Sequence, residues 1–126
     1  MENSKYTIFF STKWYKIRIN QQSILDIGYP KRLRILINPE KKEMVVQPCN
    51  KYEKLAFKVP NDFGDTSHGF ELSSAKLTGL IVDTMGWTRG AHYRICGKYI
   101  EEENIIVFPL TQYEIMAGEE IEENES

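Results

Sequence analysis

Cysteine is nearly missing from this chain. Cys49 and Cys96 are its two thiols, too few for a disulfide framework. Long apolar runs are missing as well. No stretch approaches the roughly 20 residues that cross a bilayer as a helix, so no membrane association is expected. Residues 1–5 hold no basic segment leading into an apolar stretch, and no secretory leader is expected. The sequence has no Gly-x-Gly-x-x-Gly, no phosphate loop and no Gly-x-Ser-x-Gly, which would mark nucleotide or acyl chemistry. Cys49, Cys96, His68 and His92 lack metal-ligand spacing. Asp62, Asp65 and His68 form one short string in a loop, too little alone for a metal site. The expectation is a cytoplasmic protein that is not an enzyme, with no cofactor and no metal.

What is present is charge, unevenly placed. Residues 1–60 hold twelve Lys/Arg against five Asp/Glu, and residues 61–126 hold four against thirteen. A basic half attracts phosphate, and an acidic half attracts a basic partner. The acid concentrates at the end: residues 114–126 contain six Glu and no Lys or Arg. Low hydropathy and high charge there predict a disordered acidic tail over 117–126.

The 126 residues suit one domain, expected over 1–116. Within it, one order of elements occurs twice. Residues 6–10 read as a preliminary strand. Tyr15-Lys16-Ile17-Arg18-Ile19 then alternates apolar and polar, with Ile17 and Ile19 inward and Lys16 and Arg18 outward. Asn20 is an N-cap for a short helix carrying Ile24, Leu25 and Ile27, which Gly28 stops. Residues 32–37 form a strand with Leu33, Ile35 and Ile37 on one face. A turn at Asn38-Pro39-Glu40-Lys41-Lys42 leads to a strand over 44–47 that Pro48 ends.

The second pass starts at residue 69. Phe70 and Leu72 face inward on a strand, and Ser73 or Ser74 caps a longer helix. Leu77, Leu80, Ile81 and Met85 give that helix its apolar stripe, and Gly86 stops it. A strand over 92–96, an acidic turn at Glu101-Glu102-Glu103-Asn104 and a strand over 105–108 follow. Gly28-Tyr29 matches Gly86-Trp87, Arg34-Ile35 matches Arg94-Ile95, and Pro48 matches Pro109, at offsets of 58, 60 and 61. The expected fold class is mostly β (α+β): two strand-helix-strand-strand repeats, about 15–49 and 69–110, joined by a connector over 50–68. A copy of that size cannot stand alone and would leave open sheet edges. Two copies about a local twofold, closing into one small barrel, answer both problems.

Met85-Gly86-Trp87-Thr88-Arg89-Gly90-Ala91-His92-Tyr93-Arg94-Ile95 resembles the signature of AbrB/MazE-type swapped-hairpin barrels. In that family a helix ends in Leu-Gly, then come an apolar residue, two variable residues, Gly-Asp and a strand. Ala91 replaces the usual Asp, and the first copy keeps Ile27-Gly28 without a second glycine. The resemblance implies a DNA-binding transcriptional regulator acting on double-stranded DNA. Basic side chains on and near the opening strand would meet the duplex: Lys13, Lys16 and Arg18, with Arg32 and Arg34 on the next strand. Lysine neutralises phosphate, and arginine also grips guanine. Glu71 stands where the first copy has Arg18, so the face is expected to be lopsided. The antitoxin branch of the family implies a second role, a protein-interaction module. There an acidic extension wraps a basic protein, with Tyr113, Ile115, Met116 and Ile121 as anchors. Self-association is left open.

Overall fold

The computed structural model describes residues 5–49, 56–59 and 70–116. Ten strands and two helices alternate along them: β1 (Thr7–Ser11), β2 (Lys16–Ile19), α1 (Gln21–Asp26), β3 (Arg32–Asn38), β4 (Glu43–Pro48), β5 (Phe57–Lys58), β6 (Phe70–Ser73), α2 (Ala75–Met85), β7 (His92–Cys96), β8 (Lys98–Ile100), β9 (Ile105–Pro109) and β10 (Tyr113–Met116). They form two five-stranded antiparallel sheets. Sheet A has the order β10-β7-β1-β2-β6, and sheet B the order β5-β3-β4-β9-β8. The protein is therefore mostly β with two short helices. The Asp62-Asp65-His68 string, the residues 117–126 read as a disordered tail, and most of the 50–68 connector lie outside the described residues.

Alternation decides which residues enter the core. Ile17 and Ile19 of β2 are fully buried while Arg18 between them is exposed. Ile8, Phe10 and Ile95 join them from sheet A, and Leu33, Met44, Val46, Ile106 and Phe108 come from sheet B. The two inner faces thus share one core. Gly97, between β7 and β8, lets the chain pass from one sheet to the other there. A Cβ at that position would lie 2.6 Å from the ring of buried Phe108.

The helices start and stop where their chemistry requires. Asn20 accepts from the Ser23 amide at the head of α1, and the Ser74 hydroxyl accepts from the Leu77 amide at the head of α2. Ser74, not Ser73, is the cap. Gly86 closes α2 in the left-handed region at φ 69°. The buried face of α2 differs from the expected stripe. Thr78, Ile81 and Val82 are buried, whereas Leu80 is half exposed. The helix is rotated toward Thr78 because Ile81 and Val82 both reach the core. The described residues contain no helix long and apolar enough to cross a membrane.

One polar pair ties β1 to α1. The Tyr6 hydroxyl donates to Asp26 Oδ2 at 2.5 Å, and Gln22 Nε2 donates to Asp26 Oδ1. The bond to the carboxylate, helped by burial, pushes the Tyr6 phenol up to about 12, and the same bond holds Asp26 below its ordinary value. The signs set a window. Tyr6 contributes stability in full below its ordinary value of about 10, lost as pH climbs through 12. Asp26 contributes above the ordinary carboxylate value of about 3.9, and that is lost as pH falls through its lowered value. Tyr6→Phe should cost ~1 kcal/mol at pH 7, a modest amount because solvent screens the pair. The gap in urea midpoint between wild type and variant should shrink as pH rises from about 10 through 12 and as it falls below about 3.9. A gap of constant size across that range would refute the assignment.

Candidate nucleic-acid interface

Sheet A presents its outer face through one row of residues crossing all five strands. Glu114 on β10 stands opposite Arg94 on β7, Arg94 opposite Phe9 on β1, Phe9 opposite Arg18 on β2, and Arg18 opposite Glu71 on β6. Strand registers put these side chains together, since neighbours across a ladder share a face. The Arg18 guanidinium lies 5.8 Å from the Phe9 ring centroid, within cation–π range. Arg94 reaches Glu114 Oε1 through both Nε and Nη2, at 3.2 and 2.7 Å.

The next row on that face holds Lys16, opposite Ser11 and Ser73. Lys16 Nζ approaches Glu71 at 3.4 Å, and Arg18 Nη2 approaches the other oxygen of the same carboxylate at 3.6 Å. All three side chains are more than a third exposed. Pairs so wet contribute little to stability and can exchange partners at low cost.

The loop between β1 and β2 brings Lys13 to the edge of this face. Thr12 anchors it, with its amide donating to the Ala91 carbonyl and its hydroxyl accepting from the Ala91 amide. Tyr15 turns the chain at φ 56°. Lys13 Nζ sits 5.2 Å from the Trp14 ring centroid. Trp14 in turn packs on His92 at 5.1 Å, and Phe9 stacks on the same imidazole at 5.7 Å. His92 is fully buried, so the aromatic layer covers it. The face therefore carries Lys13, Lys16, Arg18 and Arg94 around Phe9 and Trp14, with Glu71 and Glu114 at its two sides.

Arg32 and Arg34 are elsewhere. They lie on β3, whose inner face carries Leu33, so they project from the outer side of sheet B. The Arg34 guanidinium holds Gln47 Oε1 through Nε at 2.9 Å. The structure does not bring the five basic residues together. Three share the sheet A surface and two share the sheet B surface. Adjacent places in sequence are not adjacent on one face, because α1 carries the chain from one sheet to the other.

Tyr113, Ile115 and Met116 belong to β10, an edge strand, so the acidic end of the chain is in part sheet. Period-two alternation sets Met116 on the opposite face from Tyr113 and Ile115. Tyr113 packs edge-on against Trp87 and Tyr93, Ile115 is 65% exposed, and Met116 stands opposite His92. Ile121 lies outside the described residues. Local sequence does not bring Arg94 and Phe9 onto the sheet A face. Their places depend on β7 pairing with β1 across more than eighty residues, which spacing within one strand does not signal. Among the described residues no three His, Cys, Asp or Glu side chains gather to hold a metal. Searches of family models, curated proteins and solved structures give no match to the chain.

Proposed function

We propose that this chain is a duplicated AbrB/MazE-like barrel that binds double-stranded DNA through the outer face of sheet A, as transcriptional regulators of that type do. The observation that carries the reading is the convergence of Lys13, Lys16, Arg18 and Arg94 on one surface. Phosphate contacts from such a set position a protein on the duplex.

The duplication draws support from strand pairing. The opening strands of the two passes pair with each other, and so do the closing strands. Ile17 stands opposite Leu72, Arg18 opposite Glu71 and Ile19 opposite Phe70, a register symmetric about Arg18 and Glu71. Met44 stands opposite Phe108, Val45 opposite Val107 and Val46 opposite Ile106, symmetric about Val45 and Val107. Both hairpin turns end in a left-handed residue, Lys42 at φ 55° and Asn104 at φ 56°. Matching those two places buried Met44 on buried Ile106 and buried Val46 on buried Phe108. The prolines match one residue out of this register, and a one-residue slip exchanges the faces of a strand. Pro48 and Pro109 are then not equivalents in this reading. A local dyad through Arg18 and Glu71 pairs a cation with an anion where a symmetric reader would carry two cations. DNA would meet mainly the β1–β2 side.

A second reading rests on those same carboxylates. Glu71 and Glu114 already sit on the cations, and the edge strand β10 leaves Ile115 exposed. A basic protein partner could compete for them, which is the antitoxin or adaptor role. A mobility-shift titration on duplex fragments separates the two. The DNA reading expects binding at low salt, with log K falling by roughly 0.9 per phosphate contact per log unit of salt. No retardation in 50 mM salt at micromolar protein would reject it.

A further inference from the structure

We infer that the acidic segment 117–126 is an internal competitor of DNA, held over the outer face of sheet A when no duplex is bound. The inference rests on the DNA reading of that face and adds its regulation. The first contact of the acidic run is already in place. Glu114, its first glutamate, sits on sheet A beside Arg94 and accepts from the guanidinium at 2.7 Å. Both partners are exposed, Arg94 by 45% and Glu114 by 57%, so the pair exchanges with other ions at little cost.

Strand register aims the rest of the run at the remaining cations. Glu114 and Met116 share the outer face of β10. Met116 stands opposite His92, His92 opposite Ser11, and Ser11 opposite Lys16. The chain therefore leaves the sheet in the row of Lys16, at the end where Lys13 follows Ser11 and Thr12. Three strand spacings separate β10 from β2 in the sheet order, about 14 Å at roughly 4.8 Å each. The ten residues after Met116 span about 33 Å when extended. They hold Glu119, Glu120, Glu122, Glu123 and Glu125, and no Lys or Arg.

The charges of the face fit this occupant. Lys16 and Arg18 share Glu71, and Arg94 holds Glu114. With Lys13 beside them, four cations stand against two carboxylates, so the face stays cationic with its ion pairs made. All of those pairs are more than a third exposed on both sides. A tethered polyanion meets such a face at an effective concentration on the order of millimolar. A duplex on the same face would set its phosphates beside the same five glutamates, and like charges exclude one another. Segment and DNA therefore compete, and linkage makes the effect mutual: each weakens the other by the same factor.

The test compares the full chain with two variants of equal net charge. One carries Glu119→Gln, Glu120→Gln and Glu122→Gln. The other carries Glu101→Gln, Glu102→Gln and Glu103→Gln in the exposed turn between β8 and β9, on sheet B. In mobility shifts on one duplex at about 50 mM salt, the first should bind on the order of tenfold tighter than wild type, and the second within about twofold of it. Equal gains would reveal an effect of net charge and overturn the inference. So would no gain in the first variant while wild type binds. No retardation with any of the three chains would overturn the DNA reading, and the competition with it. A second readout needs no DNA. Carbodiimide coupling of the free full chain should join Lys13 or Lys16 to Glu119, Glu120, Glu122, Glu123 or Glu125, as read by peptide mass. The Lys16–Glu71 pair, at 3.4 Å, calibrates the yield. Lys41 and Lys98, exposed on the sheet B side, should join those glutamates rarely. Links as frequent there as at Lys13 and Lys16 would overturn the inference, as would their absence at Lys13 and Lys16 while Lys16 joins Glu71.

Discussion

Trp87→Ala should cost about 3–5 kcal/mol of folding stability, the usual loss for deleting a buried large aromatic. Domains of this size are commonly stable by only about 5–15 kcal/mol, so much of that margin would go. Trp87 follows the glycine that stops α2 and is 7% exposed. Its ring stacks on Tyr93 with centroids 4.0 Å apart and planes 11° from parallel. Phe10 approaches at 5.6 Å and Tyr113 at 5.4 Å. The Tyr93 hydroxyl accepts from the Thr88 amide at 3.0 Å, so the same ring fixes the loop into β7. Removing the indole therefore empties a site bounded by β1, β7 and β10 at once. Little can collapse into it, because rings held on several sides relax only partly. Tyr29, the residue after the glycine that ends α1, is only partly buried at the edge of the core. Tyr29→Ala should cost about half as much. Chemical denaturation with unchanged slope would measure both. Equal losses would mean that the two aromatics do equivalent jobs, against the packing described.

Much of the fold was legible because its signals are local. Alternation at residues 15–19 put Ile17 and Ile19 inside and Arg18 outside, as found. Asn20, Gly28 and Gly86 mark helix ends through backbone chemistry that needs no tertiary partner. Two strands were not legible. β8 is three residues, Lys98–Ile100, too short for a period to show. β10 is four residues, Tyr113–Met116, which read as partner anchors at the edge of the domain, and it is a strand by pairing with β7. The helix stripe went astray at Leu80 because Leu80 and Val82 are equally apolar in sequence. Which of them is buried depends on how α2 sits against the sheets.

The surface was less legible than the core. Alternation places Lys16 and Arg18 outward, whereas Lys13 enters only through the family resemblance. Nothing local says that Arg32 and Arg34 leave that face, since strand order, not sequence distance, assigns strands to sheets. Nor does spacing bring Glu71 and Glu114 onto it. The cost of burying charge keeps all of these residues at the surface. It does not choose which surface.

Reversing two of those charges gives the largest functional effect expected. Lys16→Glu with Arg18→Glu should lower affinity for duplex DNA on the order of a hundredfold at low salt and flatten the salt slope by roughly 1.8. Both side chains stand on β2, pointing away from the core, and both meet Glu71. The double change removes two cations and adds two anions beside an existing one, leaving Lys13 and Arg94 against a negative centre. Ile17 and Ile19 stay in the core, so the loss should come without unfolding. Three carboxylates clustered on β2 and β6 repel one another, and Glu71→Lys in the same chain restores opposite charges across the pair. That triple variant should regain stability yet recover only part of the DNA affinity, since one cation cannot replace two. Arg32→Glu with Arg34→Glu, on the other sheet, should leave DNA affinity within about threefold of wild type. Mobility shifts of the three variants on one duplex at several salt concentrations decide the matter. If the sheet B pair weakened binding as much as the β2 pair, the effect would be one of net charge, and the sheet A face would lose its assigned role.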